Sequence, residues 1–202
     1  MTLDHSKPGR GRPKTLNREA VIEAAMRAYW HEGVDRVSLS EVCRRAGVAK
    51  PGVYREFGNE DGLTKAALNL YFEQTLGPVL ALVKSEMPFR HKLDELTKIM
   101  SADRSKQSQP TWCLMVNMRD CADALGESTR EQIQGFRDQT LTAYEQMVAM
   151  AKANEELGKQ IPTRVAARYI DSQIANASSQ QARGENPRAI RDVLKLAFSV
   201  FD

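Results

Sequence analysis

Apolar residues recur along this 202-residue chain at intervals of three and four, and no stretch alternates apolar with polar over the length of a strand. That period belongs to helices packed on helices, so the expected fold class is all-α. Val21, Ala24, Ala25, Ala28 and Tyr29 make one continuous face, which predicts a first helix over 17–32, ended by Gly33 in a left-handed cap. Ser38 and Glu41 have the spacing of a capping box, in which each side chain satisfies the other's free amide. A second helix therefore starts there and stops at Gly47, only about two turns later. A third begins near Ala49–Pro51, where proline is tolerated in a first turn, and ends near Phe57–Gly58. Asn59 caps a fourth that reaches about Leu76, with Gly77-Pro78 as the break.

Two helices this short around a glycine turn read as a helix-turn-helix. Shortness is useful if the second helix must enter a DNA major groove while the first braces it across the backbone. On the third helix, Lys50, Tyr54 and Arg55 are long polar or amphipathic groups beside Pro51 and Gly52, whose small profiles let backbone approach phosphate. Arginine can read guanine bidentately, and lysine and tyrosine can hold phosphates. Val42, Ala46, Val48, Val53 and Phe57 would face inward. The bland alternative is a helical hairpin with a solvated basic face. Charge weighs against it: net charge is only +3, but residues 1–18 hold five basic side chains against one acidic. Within "GRGRPK", Arg10, Arg12 and Lys14 are held extended by glycine and proline, an arm suited to a narrow minor groove.

Beyond Pro78 the spacing predicts longer helices over 78–86, 89–102, 110–125, 128–154, 163–182 and 187–201, with a second capping box at Ser128 and Glu131. Leu114, Met118, Cys121 and Leu125 form one stripe, with Trp112, Met115 and Val116 beside it. Ile133, Phe136, Tyr144, Met147 and Ala151 line another. Such stripes are usually core, yet bundles also place small-molecule sites between their helices. Ile190, Val193, Leu194, Ala197, Phe198 and Phe201 share one face that runs to the penultimate residue. With Val165, Tyr169, Ile170 and the small residues Ala175, Ala177 and Ser178 before it, that face suits either a partner copy or an internal core.

Catalytic signatures are missing. There is no glycine-rich phosphate loop and no G-x-S-x-G, and the three histidines lack metal-ligand spacing. Three cysteines without a CxxC indicate neither a disulfide framework nor a zinc site. Neither cofactor nor metal is expected, and the chain reads as a non-enzyme. The first residues are charged, with no apolar leader, so a cytoplasmic location is the expectation. An architectural protein using the basic arm without sequence preference is a further alternative.

Residues 17–63 resemble the DNA-binding domain of the TetR family of bacterial transcriptional regulators. The likeness rests on "VIEAAMRAYWHEGVDRVSLSEVCRRAGVAKPGVYREFGNEDGL": its Ala-Ala pair, Gly33, Ser38, the Ala46-Gly47-Val48 turn, Tyr54 and Phe57. It implies a basic flexible arm over 1–16, a DNA-binding domain over 17–63 with helix 4 as linker to about 77, and a ligand-binding and dimerisation domain over 78–202. By resemblance Ser38, Lys50, Pro51, Gly52, Tyr54 and Arg55 occupy positions that commonly touch DNA, with Arg10, Arg12 and Lys14 added from the arm. Ala49, Glu56 and Glu60 depart from the family pattern, and an acidic residue facing phosphate is unfavourable. "TWCLMVN" resembles a segment of one subgroup, with Trp112 in place of its glycine. An effector pocket is implied, its candidates being Trp112, Met115, Met118, Cys121, Phe136, Tyr144 and Met147. A homodimer seam is implied too, its candidates being Tyr169, Ile170, Ala177, Ile190, Leu194, Ala197, Phe198 and Phe201. The implied function is a ligand-responsive regulator, a repressor holding a palindromic double-stranded DNA operator as a homodimer and released by a small-molecule effector.

Overall fold

Asn17 sets the first helix: its side chain accepts the Ala20 amide at 3.1 Å and α1 runs Arg18–Glu32. The computed structural model describes residues 16–103, 110 and 113–202, and every regular element among them is helical. The buried face of α1 is wider than its spacing predicts, since Ile22, Met26 and Trp30 go inside with Val21, Ala25, Ala28 and Tyr29. Its C-terminal Gly33 has φ 96° and ψ 140°, so the chain leaves in an extended rather than a left-handed helical cap.

α2 (Leu39–Ala46) and α3 (Lys50–Phe57) follow as short helices. Only half of the predicted capping box forms. The Ser38 hydroxyl accepts the Glu41 amide at 3.3 Å, but the Glu41 carboxylate turns away to Arg44 and Arg45. Those two guanidiniums hold its pKa down to about 2, and two nearby cations outcompete one amide. Gly47 ends α2 at φ 64°, ψ 33°, a left-handed conformation that glycine adopts without strain.

α4 (Glu60–Tyr71) does not break at Gly77-Pro78. It passes through one π turn, Phe72–Leu76, directly into α5 (Gly77–Lys84). The Gly77 amide reaches back five residues to the Phe72 carbonyl. A wider turn gives room to the proline ring, which would clash with the carbonyl of an ordinary α-turn, so the helix bends instead of ending.

α6 (Phe89–Met100), α7 (Leu114–Asp120), α8 (Glu127–Ala153), α9 (Thr163–Ala182) and α10 (Pro187–Phe198) form the remainder. Short 3-10 turns, Ala122–Ala124 and Ser199–Phe201, follow α7 and α10. α1 packs on α2 and α4, α3 leans on α4, and α8 packs along α9, α4 and α5. One apolar core runs from Val21 to Phe201. Among the described residues no helix is long and apolar enough to cross a membrane.

The stripe read as a dimer seam is mostly internal. Ile170, Ala177, Ile190, Leu194, Phe198 and Phe201 are all buried within the single chain, where α10 packs on α6 and α9. Burying a large apolar side chain is worth about 1.5–3 kcal/mol, so these residues close the protomer's own core rather than wait for a partner. Tyr169 and Ala197 are half-buried, tied by a hydrogen bond from the Tyr169 hydroxyl to the Ala197 carbonyl at 3.1 Å. The exposed apolar groups lie one step round the helix: Val193, Leu196 (77% exposed) and Val200, with Val165 on α9.

Candidate nucleic-acid interface and internal cavity

Val53 anchors α3. It is fully buried, Phe57 is half-buried beside it, and Val42 closes the space beneath from α2. Helical geometry then turns Lys50, Pro51, Tyr54 and Arg55 outward, and all four are exposed. Neither Lys50 nor Arg55 is held in an ion pair among the described residues. Ala49 offers no side-chain cap. Little is lost, because Pro51 has no amide and the Gly52 amide reaches the Ala49 carbonyl at 2.9 Å. Ser38 is exposed as well, one hydroxyl lone pair occupied by the Glu41 amide.

Two expectations about this surface change. Gly52 does not lie open: a Cβ there would sit 3.2 Å from the Leu16 side chain. The glycine serves the close approach of the chain entering α1. Glu56 does not face outward uncompensated, since Arg18 pairs with it at 3.1 Å while standing over the Phe57 ring at 5.4 Å. Both partners are well exposed, so the pair contributes little stability but cancels the charge that would oppose phosphate. Arg10, Arg12 and Lys14 lie outside the described residues.

A contact without any local sequence signal joins this head to the bundle. The N-terminus of α8 is capped not by its own Glu131 but by Asp61 from the first turn of α4. One Asp61 oxygen accepts the Ser128 amide at 2.9 Å and its hydroxyl at 2.6 Å. The other accepts the Thr129 amide at 3.1 Å and its hydroxyl at 2.5 Å. Burial pushes the Asp61 carboxyl up, but these bonds outweigh it and hold the pKa below the usual range. Gly126 is obligatory here, because a Cβ would lie 2.1 Å from the Asp61 carboxyl carbon.

Between α5, α7, α8 and α9 lies a cavity of about 120 Å³. Leu76, Val79 and Leu80 line it just after the π turn, and Met100, Met115, Val116 and Ile174 continue the apolar wall. Phe136 completes that wall, stacked on Phe72 with ring centroids 3.7 Å apart. Arg119, Arg137, Thr140, Tyr144, Asp171 and Ser178 supply polar groups. Tyr144 is 2% exposed, and burial, then the Asp171 charge, raises its phenol pKa. Burial also raises the Asp171 carboxyl, against the pull of Arg119, Arg137 and Arg168. Cys113 joins the lining and accepts a hydrogen bond from the Tyr71 hydroxyl at 3.3 Å.

Of the seven ligand candidates, the cavity brings together Met115, Phe136 and Tyr144. Met118 is fully buried in the core outside it, and Cys121 turns its thiol to the Asn117 carbonyl at 3.1 Å. Met147 borders a separate small hollow beside Phe89 and Lys92. Trp112 lies outside the described residues. Sequence reasoning missed Arg119, Arg137 and Asp171, which no apolar periodicity can reveal. Among the described residues no three His, Cys, Asp or Glu side chains gather as a metal-ligand set.

Comparison with known proteins gives consistent matches. Residues 21–67 match the model of the N-terminal domain of bacterial regulatory proteins of the tetR family. The HTH-type transcriptional repressor ComR of Escherichia coli is 30% identical over 112 residues, 55% of this chain and 53% of that one. The repressor BdcR of the same organism is 28% identical over 106 residues, 52% and 54% of the two chains. The chain thus spans about half the length of these curated relatives. Among solved structures, a cysteine mutant of the regulator CifR complexed with 26-bp operator DNA superposes with TM-score 0.81 at 20% identity, covering 95% of this chain and all of that one. Reduced Escherichia coli NemR gives 0.76 at 17%, covering 92% and 97%. At these identities the structural likeness speaks to the fold alone.

Proposed function

We propose that the chain is a TetR-family, ligand-responsive transcriptional regulator, a repressor that holds a near-palindromic operator as a homodimer in the cytoplasm, a reading supported by the match of residues 21–67 to the tetR family model. The observation that carries this is the outward set Lys50, Tyr54 and Arg55 on a helix fixed from behind by Val53. Arg55 reads a base edge in the major groove, while Lys50, Tyr54 and the Ser38 hydroxyl hold phosphates. Arg10, Arg12 and Lys14 add long-range attraction. Residues 17–63 act as the DNA-binding unit, α4 links it onward, and residues 78–202 form the regulatory unit.

Pairing through Val193, Leu196, Val200 and Val165 covers the exposed apolar face of α9 and α10. A two-fold dimer then presents two α3 helices to half-sites about 34–36 Å apart. The cavity is the effector site. A guest that binds better when the heads are wrongly spaced lowers operator affinity by its differential affinity for the two forms. Gel-shift titration against DNA flanking the coding region tests the proposal, with random DNA as competitor. Specific binders discriminate by roughly 10³ or more. Failure to shift any flanking fragment at low salt refutes it, and equal affinity for random DNA leaves only an architectural role.

A further inference from the structure

The cavity is small and its polar groups are unevenly balanced. Its volume, about 120 Å³, compares with about 150 Å³ for an engineered protein cavity that takes benzene. Its enclosed part therefore suits one ring or a chain of similar bulk. The charged lining is two guanidiniums, Arg119 and Arg137, against the single carboxylate of Asp171. A third cation, Arg168, also acts on Asp171 from outside the lining. None of Arg119, Arg137 and Asp171 is closed into an ion pair among the described residues.

Deeper inside, Tyr144 is 2% exposed and its hydroxyl finds no protein partner among the described residues. That hydroxyl keeps access to the cavity and is free to donate to an acceptor oxygen on a guest. The Thr140 hydroxyl is already committed, donating to the Phe136 carbonyl at 2.8 Å. On α8, Phe136, Arg137, Thr140 and Tyr144 share the cavity face, and seven residues of helix separate Arg137 from Tyr144 by about 10 Å.

We propose that the cavity binds a small monocarboxylate whose single-ring or short-chain body fills the wall of Leu80, Met115 and Phe136, its carboxylate held by Arg119 and Arg137 and within reach of the Tyr144 hydroxyl. A monoanion brings the charged lining to neutrality. A cationic guest would raise it to +2, and a neutral one would leave it at +1. This rests on the effector-site reading above, but ligand class and regulatory consequence are separable.

Isothermal titration of the full-length protein with phenylacetate, phenylacetamide, phenethylamine and hexanoate tests the class. Phenylacetate or hexanoate should bind at least tenfold more tightly than the amide and the amine. Arg119→Gln and Arg137→Gln, whose guanidiniums stand at the exposed rim, should each lose about tenfold for the acid and little for the amide while keeping the wild-type melting temperature. Tyr144→Phe should weaken the acid without touching operator affinity in the absence of ligand. Equal binding of amine and acid, indifference of the acid to both arginine substitutions, or no binding of either acid overturns the proposal. Operator gel shifts with the bound acid form the second arm. Tight acid binding with unchanged operator affinity refutes the effector reading and leaves the ligand class standing.

Discussion

Asp61→Ala removes the carboxylate that ties the helix-turn-helix to the start of α8. Three donors lose their acceptor, the amide and hydroxyl of Ser128 and the amide of Thr129, while the Thr129 hydroxyl keeps the Asp61 backbone carbonyl at 3.2 Å. Loss of an N-terminal cap alone costs about 0.5–2 kcal/mol. Ser128 is half-buried, so water can replace the carboxylate there. Thr129 is fully buried, and its orphaned amide adds about 1–3 kcal/mol. The expected total is about 1.5–5 kcal/mol, which for a chain of this length lowers the melting temperature by roughly 3–20 °C. Gly126→Ala should reproduce the loss, since its Cβ occupies the carboxylate's place.

A double-mutant cycle of Asp61→Ala with Thr129→Ala, followed by urea unfolding, isolates the contact. A coupling of about 1 kcal/mol or more is expected for groups sharing hydrogen bonds. Acidity supplies an independent check. The folded pKa of Asp61 is lowered, so its contribution is complete above the ordinary carboxylate value near about 4 and is lost as pH falls through the lowered one. Wild type should therefore lose its advantage over Asp61→Asn on acidification below about pH 4. An Asp61→Ala protein within about 0.5 kcal/mol of wild type, or an additive cycle, would refute the account of this contact, because such small changes are what featureless surface sites give.

Lys50→Ala should weaken binding to operator and random DNA alike and flatten the log–log salt dependence by roughly 0.9, the signature of one lost phosphate contact. Arg55→Ala should cost about 1–3 kcal/mol on the operator and relax preference at one base pair, read by competition with single-base operator variants. Deleting residues 1–14 should also reduce the salt slope, and an unchanged slope would refute a role for Arg10, Arg12 and Lys14. Leu196→Glu should dissociate the proposed dimer in sedimentation analysis while leaving the helical melt intact. Ile190→Glu should instead destabilise the protomer, because Ile190 is internal.

What the sequence made legible was whatever is local. The Asn59 cap, the Gly47 turn and the inward valines of the helix-turn-helix each depend on neighbours within a few positions, and the structure keeps them. Periodicity identified which residues share a helix face but not what covers it. The α10 stripe therefore read as a dimer seam with an internal core as the alternative, and packing on α6 and α9 makes it mostly core. Asp61 capping a helix 67 residues away lies beyond any spacing rule. So do the charges of the cavity, where Arg119, Arg137 and Asp171 come from three different helices.

The π turn connects these long-range features. α4, the π turn and α5 form one continuous rod with Asp61 near its start and Leu76, Val79 and Leu80 at the cavity beyond. α8 runs beside it, pinned to Asp61 at its first turn and lining the same cavity with Phe136, Arg137, Thr140 and Tyr144. A guest that spreads α5 from α8 must either bend the rod at the π turn or strain the Asp61 bonds. Since α3 leans on α4, both routes tilt the helix that carries Lys50, Tyr54 and Arg55. Loosening the Asp61 end should let α4 and α8 relax independently, so Asp61→Ala should retain operator binding but lose most of its response to the bound guest. An undiminished response would mean that the signal leaves the cavity without passing through this contact.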